Sequence, residues 1–336
     1  MLSRWVGLVA LAASLLGCSN PTAMNDGGCG PSVTSEIDSL PSMLPHPMHH
    51  TAAKWSRQGL IAYVDAGIVW VAPGGGAHQA DTALAGIWVI SPDSGTRQRV
   101  TSFGNLPSWS PGGDQLVFTT GLLSILSISS GHVQLLPIRG PSFFPSWSPD
   151  GSSLVFDSRG SDGAYRIWKS LLDGSDQHPV QGLNGPGSRC PSWSPDGGHI
   201  VHVRAASGSE KVFVMTTDGT NLIQMTHGQS RDLDPEYSPD GSMLAFSAQQ
   251  RRGLDVLPQV WVMRVDGSCA RQVTSLGGSH PSWSPDGRYL VYTKEDWRRN
   301  DPGFGVLWTV DLYSLEEEQL TFKWPETPPQ SGFSRM

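Results

Sequence analysis

Six short apolar runs recur along the chain: Leu60 to Val64 (LIAYV), Gln115 to Thr119 (QLVFT), Ser153 to Asp157 (SLVFD), His199 to Val203 (HIVHV), Met243 to Ser247 (MLAFS) and Tyr289 to Thr293 (YLVYT). Rich in β-branched and aromatic residues and bounded by turn residues, they predict strands buried on both faces. A second apolar run follows each of them: GIWVIS from Gly86, LLSILSI from Leu122, YRIWKSL from Tyr165, KVFVMT from Lys211, QVWVMR from Gln259 and VLWTVDL from Val306. A more polar segment closes the unit, ending in Val100-Thr101, Met225-Thr226, Val273-Thr274 or Leu320-Thr321.

Each first run is introduced by one phrase. Pro-Ser-Trp-Ser-Pro-Asp-Gly stands at Pro145 to Gly151, Pro191 to Gly197 and Pro281 to Gly287, with variants at Pro107 to Gly113, Pro235 to Gly241 and Ala53 to Gly59. Its Ser-Pro-Asp-Gly half suits a type I turn, with Pro presetting φ, Asp bonding locally and Gly accepting positive φ at the exit. The aromatic markers Trp55, Trp109, Trp147, Trp193, Tyr237 and Trp283 are spaced by 54, 38, 46, 44 and 46 residues. Four strands per period, with polarity rising from first to last, predict an all-β chain: a six-bladed β-propeller of four-stranded antiparallel blades. A β-sandwich would give no reason for six copies of one turn. The ring of each phrase is expected to pack between blades rather than to bind a ligand.

The phrase and its period resemble the repeats of TolB-type propellers, also seen in tricorn-like proteins and in the propellers of prolyl oligopeptidase relatives. The resemblance covers about Ala53 to Phe322. It speaks for the fold and little for function. TolB carries an α/β domain before its propeller; only about thirty residues separate the leader from the first repeat here, so that domain, and any docking that it performs, is not expected.

Residues 1–18 (MLSRWVGLVALAASLLGC) join Arg4, an apolar stretch too short to span a bilayer, and Gly17-Cys18. They predict a signal peptide with a lipobox-like end, Cys18 becoming the lipidated first residue. Leu16 is larger than the lipobox prefers, and an ordinary cleaved signal peptide is the alternative. Ser19 resembles the signal for outer-membrane sorting. Residues 19–50, rich in Pro, Gly, Ser and Met, read as a flexible tether, 51–323 as the propeller and 324–336 as a C-terminal tail. Of the remaining thiols, Cys190 and Cys269 are not expected to meet; Cys29 lies in the tether, within reach of either, and a structural role for all three is not anticipated.

Composition narrows the partners. The net charge of −7 becomes −8 once the leader with Arg4 is removed, and no basic patch interleaves with aromatics, which excludes nucleic acid. No Gly-x-Ser-x-Gly elbow is present and only fourteen residues follow Phe322, which leaves no hydrolase domain. The residues before each repeat's Pro should ring the axial channel: Leu106, Phe144, Cys190, Asp234 and His280. Cys190, Asp234 and His280 are weak metal candidates, outweighed by a reading as solvated channel residues, so no metal or other cofactor is expected. Three connections between second and third strands are long, at Asp65 to Ala85, Ala248 to Pro258 and Lys294 to Gly305. They carry Arg251, Arg252, Trp297, Arg298 and Arg299, residue types that anchor interfaces, on a rim that could equally be solvated. The sequence thus predicts a monomeric, non-catalytic, lipid-anchored propeller of the bacterial periplasm, held at the outer membrane and binding an envelope protein or peptidoglycan-associated partner. The alternative is a carbohydrate-active, lyase-like or metal-dependent enzyme using the channel.

Overall fold

The computed structural model describes Cys29 and residues 50–321, apart from 67, 72–77, 81–83, 161, 181–186, 253–254, 276 and 296–304. The leader with Cys18, most of the tether, the tail, and Trp297, Arg298 and Arg299 lie outside the described residues, as do the side chains of Arg251 and Arg252. The described chain forms six four-stranded antiparallel sheets and one two-stranded hairpin. Each sheet is one blade of the expected propeller, built from strands consecutive in sequence apart from the hairpin inserted in blade 1. No helix occurs among the described residues.

The innermost strands are His50–Trp55, Asn105–Trp109, Ser142–Trp147, Arg189–Trp193, Arg231–Tyr237 and Ser279–Trp283, in blades 1 to 6. The apolar core is divided among the seams between blades. Ala62, Val64 and Ile87 of blade 1 meet Trp109, Leu116 and Phe118 of blade 2, and comparable clusters fill every other seam. Within one strand, Leu116 and Phe118 face blade 1 while Val117 faces blade 3. That division explains runs without polar alternation, since both faces of a second strand are covered by neighbouring sheets. The ring closes in the same manner: Ile61 and Tyr63 of blade 1 pack on Val291 and Leu307 of blade 6, all fully buried. Among the described residues no strand is shared across this closing seam.

Hydrogen bonds repeat with the blades. The indole Nε1 of Trp109 donates to the Lys54 carbonyl of the preceding blade at 2.9 Å, and Trp147 and Trp283 donate likewise to Ser108 and Glu236, each at 3.2 Å. In these three blades the phrase's aromatic ring is therefore an inter-blade tie as well as filler, whereas the Nε1 atoms of Trp55 and Trp193 are buried without a hydrogen-bond partner among the described residues. In the turns, the Ser148 hydroxyl donates to Asp150 at 2.6 Å and accepts the Ser153 N–H, while Gly151 N–H closes onto the Ser148 carbonyl at 2.9 Å. Gly151 and Gly197 both hold φ of +73°, as the turn requires. Outer strands are shorter than the sequence suggests in blades 4 to 6, where the ladder stops at Gln224, Gln272 and Gln319. The Thr two residues on turns inward instead: Thr226, Thr274 and Thr321 accept the N–H of Val212, Val260 and Leu307 at 3.0 Å.

Two of the long connections carry regular structure. The one in blade 1 includes the hairpin Ile68–Val71 with His78–Ala80. In blade 5 the expected loop is strand: Met243–Arg252 pairs with Asp255–Arg264 along its whole length, so Arg251 and Arg252 lie on strand ends. Cys29 and Cys269 form a disulfide, one of the two pairings left open for Cys29, while Cys190 is free. Cys269 stands in the turn after the third strand of blade 5, where Val265 N–H meets the Ser242 carbonyl beside the Ser-Pro-Asp-Gly turn.

Candidate functional site

The inner strands enclose an axial cavity of about 500 Å³ lined by all six blades. Its geometry comes from a bulge repeated in every inner strand. Register breaks between Thr51 and Lys54, Asn105 and Ser108, Phe143 and Ser146, Arg189 and Ser192, Leu233 and Glu236, and Ser279 and Ser282. Within each break lies one non-glycine residue at φ between +50° and +53°: Ala52, Leu106, Phe144, Cys190, Asp234 and His280. Left-handed backbone at such residues costs free energy, the more so before proline, and persists only where the surroundings enforce it. The bulge bends each inner strand where six strands crowd round one axis. It also sets one side chain per blade on the cavity wall, confirming the sequence placement of the five channel residues and adding Ala52.

The wall is divided by character. Blades 1 to 3 present Ala52, Leu106 and Phe144; blades 4 to 6 present Cys190, Asp234 and His280. His280 Nε2 lies 3.7 Å from Asp234 Oδ1, and Ser247 links the two by donating to Asp234 Oδ2 and accepting the His280 N–H at 3.1 Å. Cys190 donates its N–H to Asp157 Oδ2 at 3.1 Å. Asp157 is fully buried and burial pushes its carboxyl up to about 7, while burial and then the carboxylates of Asp234 and Asp157 push the Cys190 thiol up. That thiol is a poor nucleophile. Among the described residues no group of three His, Cys, Asp or Glu side chains is arranged to hold a metal ion, so Cys190, Asp234 and His280 share a wall without forming a ligand set.

Other site residues escaped the sequence reading. Lys54 and Glu236 form an ion pair in the cavity, linking blades 1 and 5 past blade 6. Glu236 also accepts from the Ser282 hydroxyl at 2.8 Å and the Trp283 N–H at 3.3 Å. Both occupy the repeat position that is Ser in the other blades, so two opposite departures at one position were the available signal. On the face of the second-to-third-strand connections, Arg189 stacks over Tyr165 and donates to Glu210 at 2.7 Å, and Arg231 pairs with the same carboxylate. Phe103 and Leu122 are exposed on the same face beside the short connection of blade 2.

Residues 134–329 match the TolB beta propeller domain family, PD40. The chain belongs to this family. A TolB-type structure from Agrobacterium tumefaciens superposes with a TM-score of 0.63 at 25% identity, over 69% of this chain and 87% of that one. A TolB homolog of Chlorobium luteolum is 28% identical over 134 residues, and an uncharacterized peptidase of Bacillus subtilis, YuxL, is 34% identical over 89. These matches take in 28% and 26% of this chain but only 31% and 13% of the relatives' own length. An oligogalacturonate lyase in complex with manganese shares the fold, with a TM-score of 0.54 at 16% identity over 84% of this chain and 81% of the lyase. TolB-type propellers thus stand beside enzymes among its likenesses, and the fold leaves the chemistry to the individual site.

Proposed function

We propose that this TolB-family propeller is a non-catalytic, periplasmic binding protein. It is tethered to the outer membrane through a lipid on Cys18 and captures an envelope protein or peptidoglycan-associated partner on the face that carries the second-to-third-strand connections. The surface of that face carries this reading: exposed Phe103 and Leu122 stand on it in blade 2, and Arg189 and Arg231, both paired with Glu210, open the inner strands of blades 4 and 5. An apolar anchor beside fixed guanidinium donors is what a peptide or protein surface engages. Trp297, Arg298, Arg299, Arg251 and Arg252 belong to connections on the same face and extend the proposed surface. The test is capture from bacterial envelope extracts. Trp297→Ala with Arg298→Ala should weaken capture without changing the thermal transition. Retention of every partner by this variant and by Arg189→Ala with Arg231→Ala would overturn the assignment of the face.

A second reading rests on one pair. Asp234 and His280 approach each other on the channel wall, the residue types of a metal-dependent, carbohydrate-acting enzyme. A manganese titration with oligogalacturonate as substrate separates the two readings. Turnover abolished by His280→Ala would replace the binding function with catalysis.

A further inference from the structure

The Cys29–Cys269 disulfide joins two regions that the chain alone would place on opposite faces. His50 opens the first strand of blade 1 and pairs with Asp65, at the end where second strands pass into third strands. That end is the proposed binding face. Cys269 lies at the other end, in the turn that follows Arg264, whose strand partner Met243 begins directly after a Ser-Pro-Asp-Gly turn. The bond therefore fastens the segment before blade 1 to the turn face of blade 5, with blade 6 standing between the two attachment points. Twenty residues separate Cys29 from His50 and span at most roughly 70 Å, enough to cross from one face to the other.

We infer that this disulfide sets the orientation of the propeller on its tether: the amino-terminal segment leaves from the turn face of blade 5, which points the face of the second-to-third-strand connections away from the anchor. The inference rests on the proposed lipid at Cys18. With the bond formed, only the segment from Cys18 to Cys29 connects membrane and propeller, a reach of at most roughly 40 Å. With the bond open, the propeller is entered through His50, where the first strand opens on the binding face, and that face can be drawn towards the bilayer. The turn face is suited to standing off an anionic surface without lying on it. Asp150, Asp196 and Asp218 there are held below the usual carboxylate range by the hydroxyls of Ser148, Ser194 and Thr216, and stay ionised. Opening the bond requires exchange with a dithiol, which ends as the disulfide while Cys29 and Cys269 each gain a proton as thiols.

The test uses the lipidated full chain in a Cys190→Ser background, bound to vesicles that contain an energy-transfer acceptor lipid. A donor is placed through Ser94→Cys, exposed in a turn of blade 1 on the turn face, or through Leu122→Cys, exposed on the binding face. Transfer from position 94 should exceed that from 122 at least twofold, and Cys29→Ser with Cys269→Ser, or a mild dithiol added after labelling, should remove the difference. Equal transfer from the two sites, or a difference that survives loss of the disulfide, overturns the inference. Flotation with the vesicles reports anchoring separately. Should flotation fail, the same comparison on nickel-chelating vesicles, with an oligohistidine tag in place of residues 1–18, still decides the orientation.

Discussion

Asp157 of blade 3 accepts the N–H of Cys190 in blade 4 at 3.1 Å, while its other carboxyl oxygen, fully buried, has no hydrogen-bond partner among the described residues. Burial raises this carboxyl from 3.8 to about 7. Between those values the folded protein keeps a proton that the unfolded chain has released. Its contribution to stability is therefore complete below about pH 4 and falls as pH rises through 7, by about 4 kcal/mol at most. Asp157→Asn keeps an acceptor for Cys190 and removes the titration. Its melting temperature should match the parent at pH 3 and exceed it at pH 8. A variant less stable than the parent at pH 8 would show that the ionised form is held by contacts beyond Cys190.

His202 supplies the opposite pH dependence in the next blade. It occupies the position of Tyr63, Phe118, Phe156, Phe246 and Tyr292, stacks on Phe213 and is fully buried. Burial lowers its pKa from 6.5 to about 4, so the unfolded chain binds the proton first as pH falls. Its contribution is complete above about 6.5 and lost towards pH 4, by about 3 kcal/mol. The two windows nearly coincide and the slopes oppose, so the parent should melt almost independently of pH across them. His202→Phe should expose the Asp157 slope, with stability falling as pH rises from 4 to 7. Asp157→Asn should expose the His202 slope, rising over the same range. A melting series in which both variants track the parent would refute both assignments.

The fold was legible because its signals are local. Turn chemistry at Ser-Pro-Asp-Gly and the unalternating runs such as Leu154 to Phe156 each require one structure, and repetition fixed the number of blades. The five channel residues were legible too, since they precede Pro in every later copy. Their left-handed backbone was not: nothing in the composition of Leu106 or Phe144 favours positive φ, which is imposed by strands crowding round the axis. Lys54 and Glu236 were missed because they are 182 residues apart and meet only when the ring closes. The sequence leaves Cys29 open to Cys190 or Cys269, and at a separation of 240 only the closed ring selects Cys269. The Ala248 to Pro258 segment was taken as loop because its polar Gln-Gln-Arg-Arg stretch lacks strand periodicity, whereas the hairpin is extended by its own backbone pairing.

The turn glycines should fail on conformation alone. A Cβ at Gly151 would come no closer than 3.8 Å to Pro111, so space is available and the φ of +73° is the obstacle. Gly151→Val should destabilise by about 1 kcal/mol or more, and Gly197→Val, with the same φ, by a similar amount. Thermal denaturation of both variants checks this, and parent-like melting would show that the turn readily adopts another form.

The ion pair in the channel should prove unequal when its partners are removed. Lys54 is 37% exposed and Glu236 17%, so Lys54→Ala removes the more solvated partner, leaves Glu236 its bonds from Ser282 and Trp283, and should cost about 1 kcal/mol. Glu236 also holds the Ser282 hydroxyl and the Trp283 N–H, which connect blades 5 and 6. Glu236→Ala leaves both without that acceptor and should cost about 2 kcal/mol. Exchanging the charges, Lys54→Glu with Glu236→Lys, restores the attraction but puts a donor where Ser282 and Trp283 need an acceptor. The exchanged protein should therefore stay less stable than the parent. Urea denaturation of all three variants decides the matter: full recovery on exchange would mean that the pair acts by charge alone and that Glu236 is no inter-blade tie.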